Sequence, residues 1–332
     1  MLHSPIPLSA VYQARQRIAG RVLRTPLIAS PVLSDQVGAA VYLKLESLQK
    51  TGSFKVRGAF NKILGLSEEE RRRGVITFST GNHGKAVACA AGDSGIAAVV
   101  CVSEHVPAYR AKAIAAYGAE VVVRGKSQDE AEEHYRRLQR DRDLIPVKPF
   151  DDPQIIAGQA TIGLEILEDL PRVDTALIPL SGGGLLSGIA LALKSANPSI
   201  RVVAVSIERS PVMQESVKAG KAVAVEERDT LADSLLGGIG LDNRYTLPMV
   251  GELTDEFIAV SEEEIAGGMT YALEEHGLVL EGAGAVGIGA LLAGKVRDPG
   301  SCTAVVLSGA SVDLPRYLDV VGERILRGSN RG

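Results

Sequence analysis

Thr51-Gly52-Ser53-Phe54-Lys55-Val56-Arg57-Gly58 sets a lysine just inside the start of a helix. Thr51, Gly52 and Ser53 are turn and cap residues, and Phe60, Ile63 and Leu64 behind them follow helical spacing. With Ser53 as the N-cap, Lys55 falls in the first turn, where the helix dipole disfavours an exposed ammonium by about 0.3 to 1 kcal/mol, less than one pKa unit. The dipole alone does not make a nucleophile. Burial in an apolar pocket adds far more, which is how proteins make lysines that attack carbonyls. The plain alternative is that Lys55, Arg57 and Lys62 are solvated positions on an amphipathic helix, as most lysines are. Upstream, residues 41–46 alternate as a strand does, so strand, turn and helix in succession place Lys55 at a sheet's edge.

Outward from this stretch the chain alternates strand and helix. Ser9 caps a first helix with Val11, Tyr12 and Ile18 on one side, and Pro26 keeps residues 24–27 extended. Ser67 and Glu70 form a capping box, and Arg71, Arg72 and Arg73 suit a helix C-terminus. Strands over 75–78, 96–102 and 120–123 are separated by helices from Gly84, over 107–117 and over 127–140, the pattern of a parallel sheet flanked by helices. Residues 75–148 read as a small α/β domain inserted into a larger one made of 1–74 and 149–332. In the larger, Asp151-Asp152-Pro153 opens a helix and strands over 175–180, 202–206 and 303–307 form a second parallel sheet. Helices over 262–276, 284–293 and 314–326 complete it.

Two loops in this pattern suit anions. Ser181-Gly182-Gly183-Gly184-Leu185 joins a strand to a helix, where glycines let backbone N–H groups converge and the dipole favours negative charge. Glycine runs also make plain tight turns, and this one is neither the Walker pattern nor a Rossmann fingerprint. Ser79-Thr80-Gly81-Asn82-His83-Gly84 has the same layout, with hydroxyls from Ser79 and Thr80 and a side-chain donor in Asn82; the alternative for Asn82-His83 is a turn with an uninvolved histidine.

The totals narrow the class. The chain has 332 residues, 45% hydrophobic and 23% charged, enough for a large core. A formal net charge of -4 gives no basic footprint, so nucleic acid and anionic membranes are not expected partners. Cys89, Cys101 and Cys302 are too few and scattered for a disulfide framework. Met1-Leu2-His3-Ser4-Pro5 carries no secretory pattern and the longest apolar run, near 96–102, is too short for a bilayer. A cytoplasmic protein without an anchor is expected. His3, His83, His105, His134 and His276 stand far apart, with no metal-ligand spacing among them.

The lysine segment, the Ser79–Gly84 loop and the Ser181–Leu185 loop, in this order, resemble the serine/threonine dehydratase family of pyridoxal-phosphate enzymes, which includes serine racemase. The resemblance runs from about Arg24-Thr25-Pro26-Leu27 to Ser308-Gly309. It implies the two-domain fold-type II architecture, similar to the β subunit of tryptophan synthase, and pyridoxal 5'-phosphate as cofactor. It implies Lys55 as the lysine that carries the cofactor, next to Phe54, and the Ser181, Gly182, Gly183, Gly184 and Leu185 loop as its phosphate cradle. Ser79, Thr80, Gly81, Asn82 and His83 would take the substrate carboxylate, Asn82 also touching the ring oxygen. Ser308 would bond the pyridine nitrogen, where a hydroxyl suits elimination better than a carboxylate would, and Glu281 would stand near the cofactor. Without the resemblance, Ser308 is a turn serine and Glu281 an N-terminal helix carboxylate. A homodimer or homotetramer is implied as well.

The expected function is α,β-elimination: a β-hydroxy amino acid of the threonine or serine type gives a 2-oxo acid and ammonia. Thr80 stands where racemases place a reprotonating serine, so amino-acid racemisation is the alternative. Ser308-Gly309-Ala310-Ser311 and Ala232-Asp233-Ser234 depart from the commoner Ser-Gly-Gly-Asn and Ala-Asp-Gly, a pattern compatible with relatives that dehydrate hydroxylated diamino acids from hydroxyectoine breakdown. Ser206 and Val212 replace the acids that hold a divalent cation in some members, so no metal is expected. By length the chain lacks the C-terminal effector domain of larger biosynthetic members, which favours a catabolic role. A non-catalytic binding protein would have no need of Lys55.

Overall fold

A computed structural model describes residues 5–126 and 128–329. Residues 1–4, on which the reading of the N-terminus rests, and Ser127, the expected start of a helix, lie outside them. The chain begins α1 (Leu8–Ile18), β1 (Leu27–Ala29), α2 (Pro31–Val37), β2 (Ala40–Lys44), α3 (Lys55–Leu64) and α4 (Glu68–Arg73). It continues β3 (Val75–Phe78), α5 (Asn82–Asp93), β4 (Ala98–Val102), α6 (Ala108–Ala115), β5 (Glu120–Val123), α7 (Gln128–Asp141) and β6 (Ile145–Pro146). Next come α8 (Pro153–Asp169), β7 (Thr175–Pro179), α9 (Gly184–Ala196), β8 (Arg201–Ile207), α10 (Val212–Ala219) and α11 (Thr246–Leu253). The last elements are β9 (Glu256–Val260), α12 (Glu262–His276), α13 (Gly282–Leu292), β10 (Cys302–Val306) and α14 (Leu314–Ser329).

Two sheets result, ordered β1-β2-β10-β7-β8-β9 and β5-β4-β3-β6. Every pairing is parallel except β1 with β2. The central strands of the larger sheet are buried on both faces, which is why Ala176-Leu177-Ile178 and Ala304-Val305-Val306 read as continuous apolar runs. One apolar core lies on each side of that sheet, led by α8 and α9 on one face and α12 and α13 on the other. The core of the four-stranded sheet takes in Val56, Phe60 and Ile63 of α3. The other side of α3 meets α8 so closely that a Cβ on Gly158 would stand 2.6 Å from Gly58 Cα. The lysine helix is therefore wedged between the two halves of the fold.

Several local expectations are corrected. Ser53 is not the cap of α3: Phe54 takes that position, with helical dihedrals and no side-chain cap. Tertiary pairing wins here, because Ser53 forms an antiparallel bridge with Gly309 and the Phe54 N–H donates to Ser308 O at 3.1 Å. Ser9 lies inside α1, behind an N-cap at Pro7. Glu46 leaves the strand for a 3₁₀ turn, Glu46–Leu48, in which Glu46 and Ser47 are buried. The sheet's edge is β1, so β2, which leads to Lys55, has a neighbour on each side.

Asp152 caps α8 as expected, its Oδ1 accepting from the N–H groups of Gln154 and Ile155 at 2.8 and 3.3 Å. Its Oδ2 also accepts from Lys62 Nζ at 2.7 Å, tying α3 to α8. Asp152→Ala is expected to cost about 1 kcal/mol or somewhat more, read as a lower urea midpoint with an unchanged slope.

Candidate active site

Three neighbouring strands of the larger sheet, β2, β10 and β7, deliver their C-terminal ends to one place, the position at which parallel α/β sheets hold ligands. The loop after β2 carries Lys55, that after β10 carries Ser308, and that after β7 is the glycine run. The loop after β3 of the other sheet, Ser79 to Gly81, faces them through Asn82.

Lys55 opens α3. Its Nζ donates to Pro149 O at 2.8 Å and lies 5.2 Å from the centroid of the Phe54 ring. Burial lowers its pKa to about 8, against the pull of the Glu281 charge, which acts to raise it. At pH 7 about a tenth of the amine is then free, compared with well under a thousandth for an ordinary lysine. Reactivity of Lys55 toward an amine-directed reagent in the cofactor-free protein is expected to be half-maximal near pH 8, rising with pH because the free amine is the nucleophile. Peptide mapping of the labelled protein reads this directly, and a midpoint above pH 10 would contradict it.

The residue after Pro149 ties the lysine to the glycine loop. Phe150 lies across it so tightly that a Cβ on Gly182 would stand 2.2 Å from the Phe150 ring and one on Gly184 3.0 Å from the Phe150 backbone. Gly183 is left-handed, φ +84°, and is the N-cap of α9 without a side-chain cap. Leu185 is buried in the first turn, and Ser181 precedes the loop half-buried. Gly81 likewise leaves α5 without a side-chain cap. Two helix N-termini without side-chain caps thus lie in the neighbourhood of Lys55, each the kind of end that takes an anion.

Around the second loop, Ser79 and Thr80 are half-buried, and the Gly81 N–H donates to Ser79 Oγ at 3.4 Å. His83 is buried and its Nε2 lies 2.9 Å from Val147 O. A carbonyl only accepts, so Nε2 carries the proton, and Nδ1 finds no partner. Burial and the Lys55 charge push this histidine down to about 3, so it stays neutral. It anchors the loop to the chain that leads to Pro149.

Glu281 does not cap α13, although it occupies the N-cap position. Its carboxylate turns to Asn82, whose Nδ2 donates to both oxygens at 2.8 and 3.1 Å, and to the Ser311 N–H at 3.0 Å. Ser311 Oγ closes the triangle by donating to Asn82 Oδ1 at 2.5 Å. Burial raises Glu281 to about 7. Ser308, buried, lies at the end of the same segment and donates to Ala283 O at 3.3 Å.

Behind Lys55 stands a feature that the sequence did not disclose. Arg57, which could have been a solvated position, is fully buried. It donates to Glu46 through Nε and Nη2, both at 2.8 Å, and to Glu165 through Nη1 and Nη2 at 2.6 and 2.9 Å. Lys44 Nζ adds 2.6 Å to Glu165 and 2.7 Å to Thr25 O. Two cations and two anions balance, and the paired charges outweigh burial to raise the Arg57 pKa. Signals for Pro149, Phe150 and this network were absent locally: Pro149 acts on Lys55 94 positions away, Glu165 on Arg57 and Lys44 108 and 121 positions away, and Phe150 on the glycine loop more than 30 positions on.

The donor set fits a phosphate-bearing carbonyl cofactor: a lysine with a free-amine fraction, a glycine cradle that side chains would block, and a neutral hydroxyl at Ser308. Among the described residues, no group of three or more His, Cys, Asp and Glu side chains is placed to hold a metal ion, and no helix is long and apolar enough to cross a membrane.

Comparison with known proteins gives the same direction. Residues 18–309 match the family described as pyridoxal-phosphate dependent enzyme. The L-threonine ammonia-lyase of Thermotoga maritima is 42% identical over 98% of this chain and 80% of its own. The catabolic L-threonine dehydratase of Escherichia coli K12 is 38% identical over 96% of this chain and 97% of its own. The structure of maize serine racemase superposes with a TM-score of 0.90 at 33% identity, covering 98% of this chain and 99% of that one.

Proposed function

The chain belongs to the pyridoxal-phosphate-dependent enzymes, and from that premise we propose that it is a lyase converting a β-hydroxy amino acid of the threonine or serine type to a 2-oxo acid and ammonia. The observation that carries the reading is Lys55 Nζ, held 2.8 Å from Pro149 O in the same loop cluster as two uncapped helix N-termini. Two anion sites near one nucleophilic amine match one cofactor phosphate and one substrate carboxylate. The relatives named above as threonine ammonia-lyase and dehydratase support it.

Bound pyridoxal phosphate supplies the electron sink that makes the α C–H bond acidic. The Ser181–Leu185 loop would hold its phosphate, Ser308 its ring nitrogen, and Phe54 and Asn82 its ring. Lys55 would hold its carbonyl carbon and, once the substrate amine has taken that place, accept the α-proton on Nζ. The N–H groups after Gly81, with Ser79 and Thr80, would orient the substrate carboxylate. Loss of the β-hydroxyl as water and hydrolysis of the resulting enamine release ammonia and the 2-oxo acid. Racemisation is the second reading, favoured by the Thr80 hydroxyl in the carboxylate loop and by the likeness to serine racemase.

The same proposal places the enzyme in the cytoplasm, on its three buried free cysteines, as a homodimer or homotetramer. Residues 75–148 would act as the smaller, substrate-loop domain on the larger one of 1–74 and 149–332. The test is 2-oxo acid release by the purified protein with pyridoxal phosphate from L-threonine, L-serine and D-serine, with enantiomer content measured alongside. Oxo acid supports the lyase; interconverted enantiomers without oxo acid support the racemase.

A further inference from the structure

One ammonium at this site has no task in the reaction. Lys85 lies on α5 one turn after Asn82, half-buried, and its Nζ makes no hydrogen bond or ion pair among the described residues. It sits at the edge of the lysine loop: a Cβ on Gly52 would stand 4.0 Å from Lys85 Nζ and 3.9 Å from Ser311 Oγ. Gly52 is itself pinned there, its carbonyl accepting from the Ala310 N–H at 2.8 Å. Glu281, the carboxylate whose charge acts on it, has its oxygens engaged by Asn82 and the Ser311 N–H. Burial lowers the Lys85 pKa, and the Glu281 charge acts to raise it. A half-buried ammonium gives up hydration, and here no protein group replaces it.

We propose that Lys85 is a substrate-binding, specificity-determining residue whose ammonium pairs with a carboxylate on the substrate side chain, beyond the reacting β-carbon. The inference rests on the proposed lyase reading and deepens it. The α-carboxylate has its own donors in the backbone N–H groups after Gly81, whereas Lys85 commits its own N–H to Gly81 O at 3.2 Å and sends its side chain to the Gly52–Ser311 edge. A β-hydroxy amino acid with a second carboxylate, 3-hydroxyaspartate, carries the required group. It would lose the α-proton and the β-hydroxyl as water, regain water on hydrolysis and release ammonia and oxaloacetate.

The test compares kcat/KM of the holoenzyme for 3-hydroxyaspartate and L-threonine in the wild type, Lys85→Gln and Lys85→Met. The ratio of the two is expected to favour 3-hydroxyaspartate in the wild type and to fall on the order of 10- to 100-fold in both variants, the loss of one charge-assisted hydrogen bond. An unchanged ratio overturns the inference, whether both substrates suffer alike or neither does. Acylation of Lys85, followed by peptide mapping, reads binding without turnover: 3-hydroxyaspartate should protect it and L-threonine should not. Equal protection by both overturns the inference. Should the wild type release oxo acid from no β-hydroxy amino acid, the lyase reading falls, while protection still decides the role of Lys85.

Discussion

Lys55→Ala is expected to remove 2-oxo acid release almost entirely, by about 10²- to 10⁴-fold from the lost proton transfer alone and by more if the covalent hold on the cofactor goes with it. The visible absorbance of lysine-bound pyridoxal phosphate should vanish from the purified protein, although the phosphate contacts proposed for the glycine loop would still retain some cofactor. The fold should survive, because Lys55 contributes one hydrogen bond, to Pro149 O, and its burial as an ammonium is unfavourable. Added methylamine, which can occupy the carbonyl and accept a proton, should restore part of the activity. Activity within tenfold of the wild type would remove Lys55 from the chemistry and with it the proposed mechanism.

Arg57→Met should have the largest effect on stability, about 3 to 5 kcal/mol, the range for breaking a buried ion pair from one side. Glu46 and Glu165 would keep their burial and lose four charge-assisted hydrogen bonds, with Lys44 left as their sole cation in the network. Urea unfolding of the cofactor-free protein measures this directly. Arg57→Lys should recover little of it, since one ammonium cannot present parallel N–H bonds to two carboxylates. A loss below 1 kcal/mol would mean that the network rearranges or admits water. The network also joins the 3₁₀ turn after β2, the first turn of α3 and α8, so its loss should displace Lys55 from Pro149.

The contrast between Lys55 and Arg57 shows how far a sequence can be read. Both lie on one helix turn, and hydrophobic spacing predicted the helix. Periodicity is a local property, and so the alternation of strands and helices and the capping residues Ser67 and Asp152 were legible, with boundaries within a few residues. Whether a charge on that helix is solvated or buried depends on what packs against it. For Arg57 the answer comes from Glu165, 108 positions away. Ser53 failed as a cap for the same reason, because Gly309 pairs with it from the far end of the chain.

The candidate site divides in the same way. Motif order in the sequence identified the family, the cofactor and most of the residues that the fold then gathers around Lys55. The sequence by itself determined the α/β class, the two glycine-bearing strand-to-helix loops and the place of Lys55 at a helix start, since glycine content and periodicity act within a few residues of themselves. Only the tertiary structure decided that Pro149 and Phe150 hold the lysine to the glycine loop, that Glu281 turns from its helix to Asn82 and Ser311, and that the Lys85 ammonium has no partner among the described residues. A side chain's charge state and reactivity are set by its desolvation and its nearest charges, and those neighbours come from distant parts of the chain, brought within a few ångströms by the packing of the two sheets.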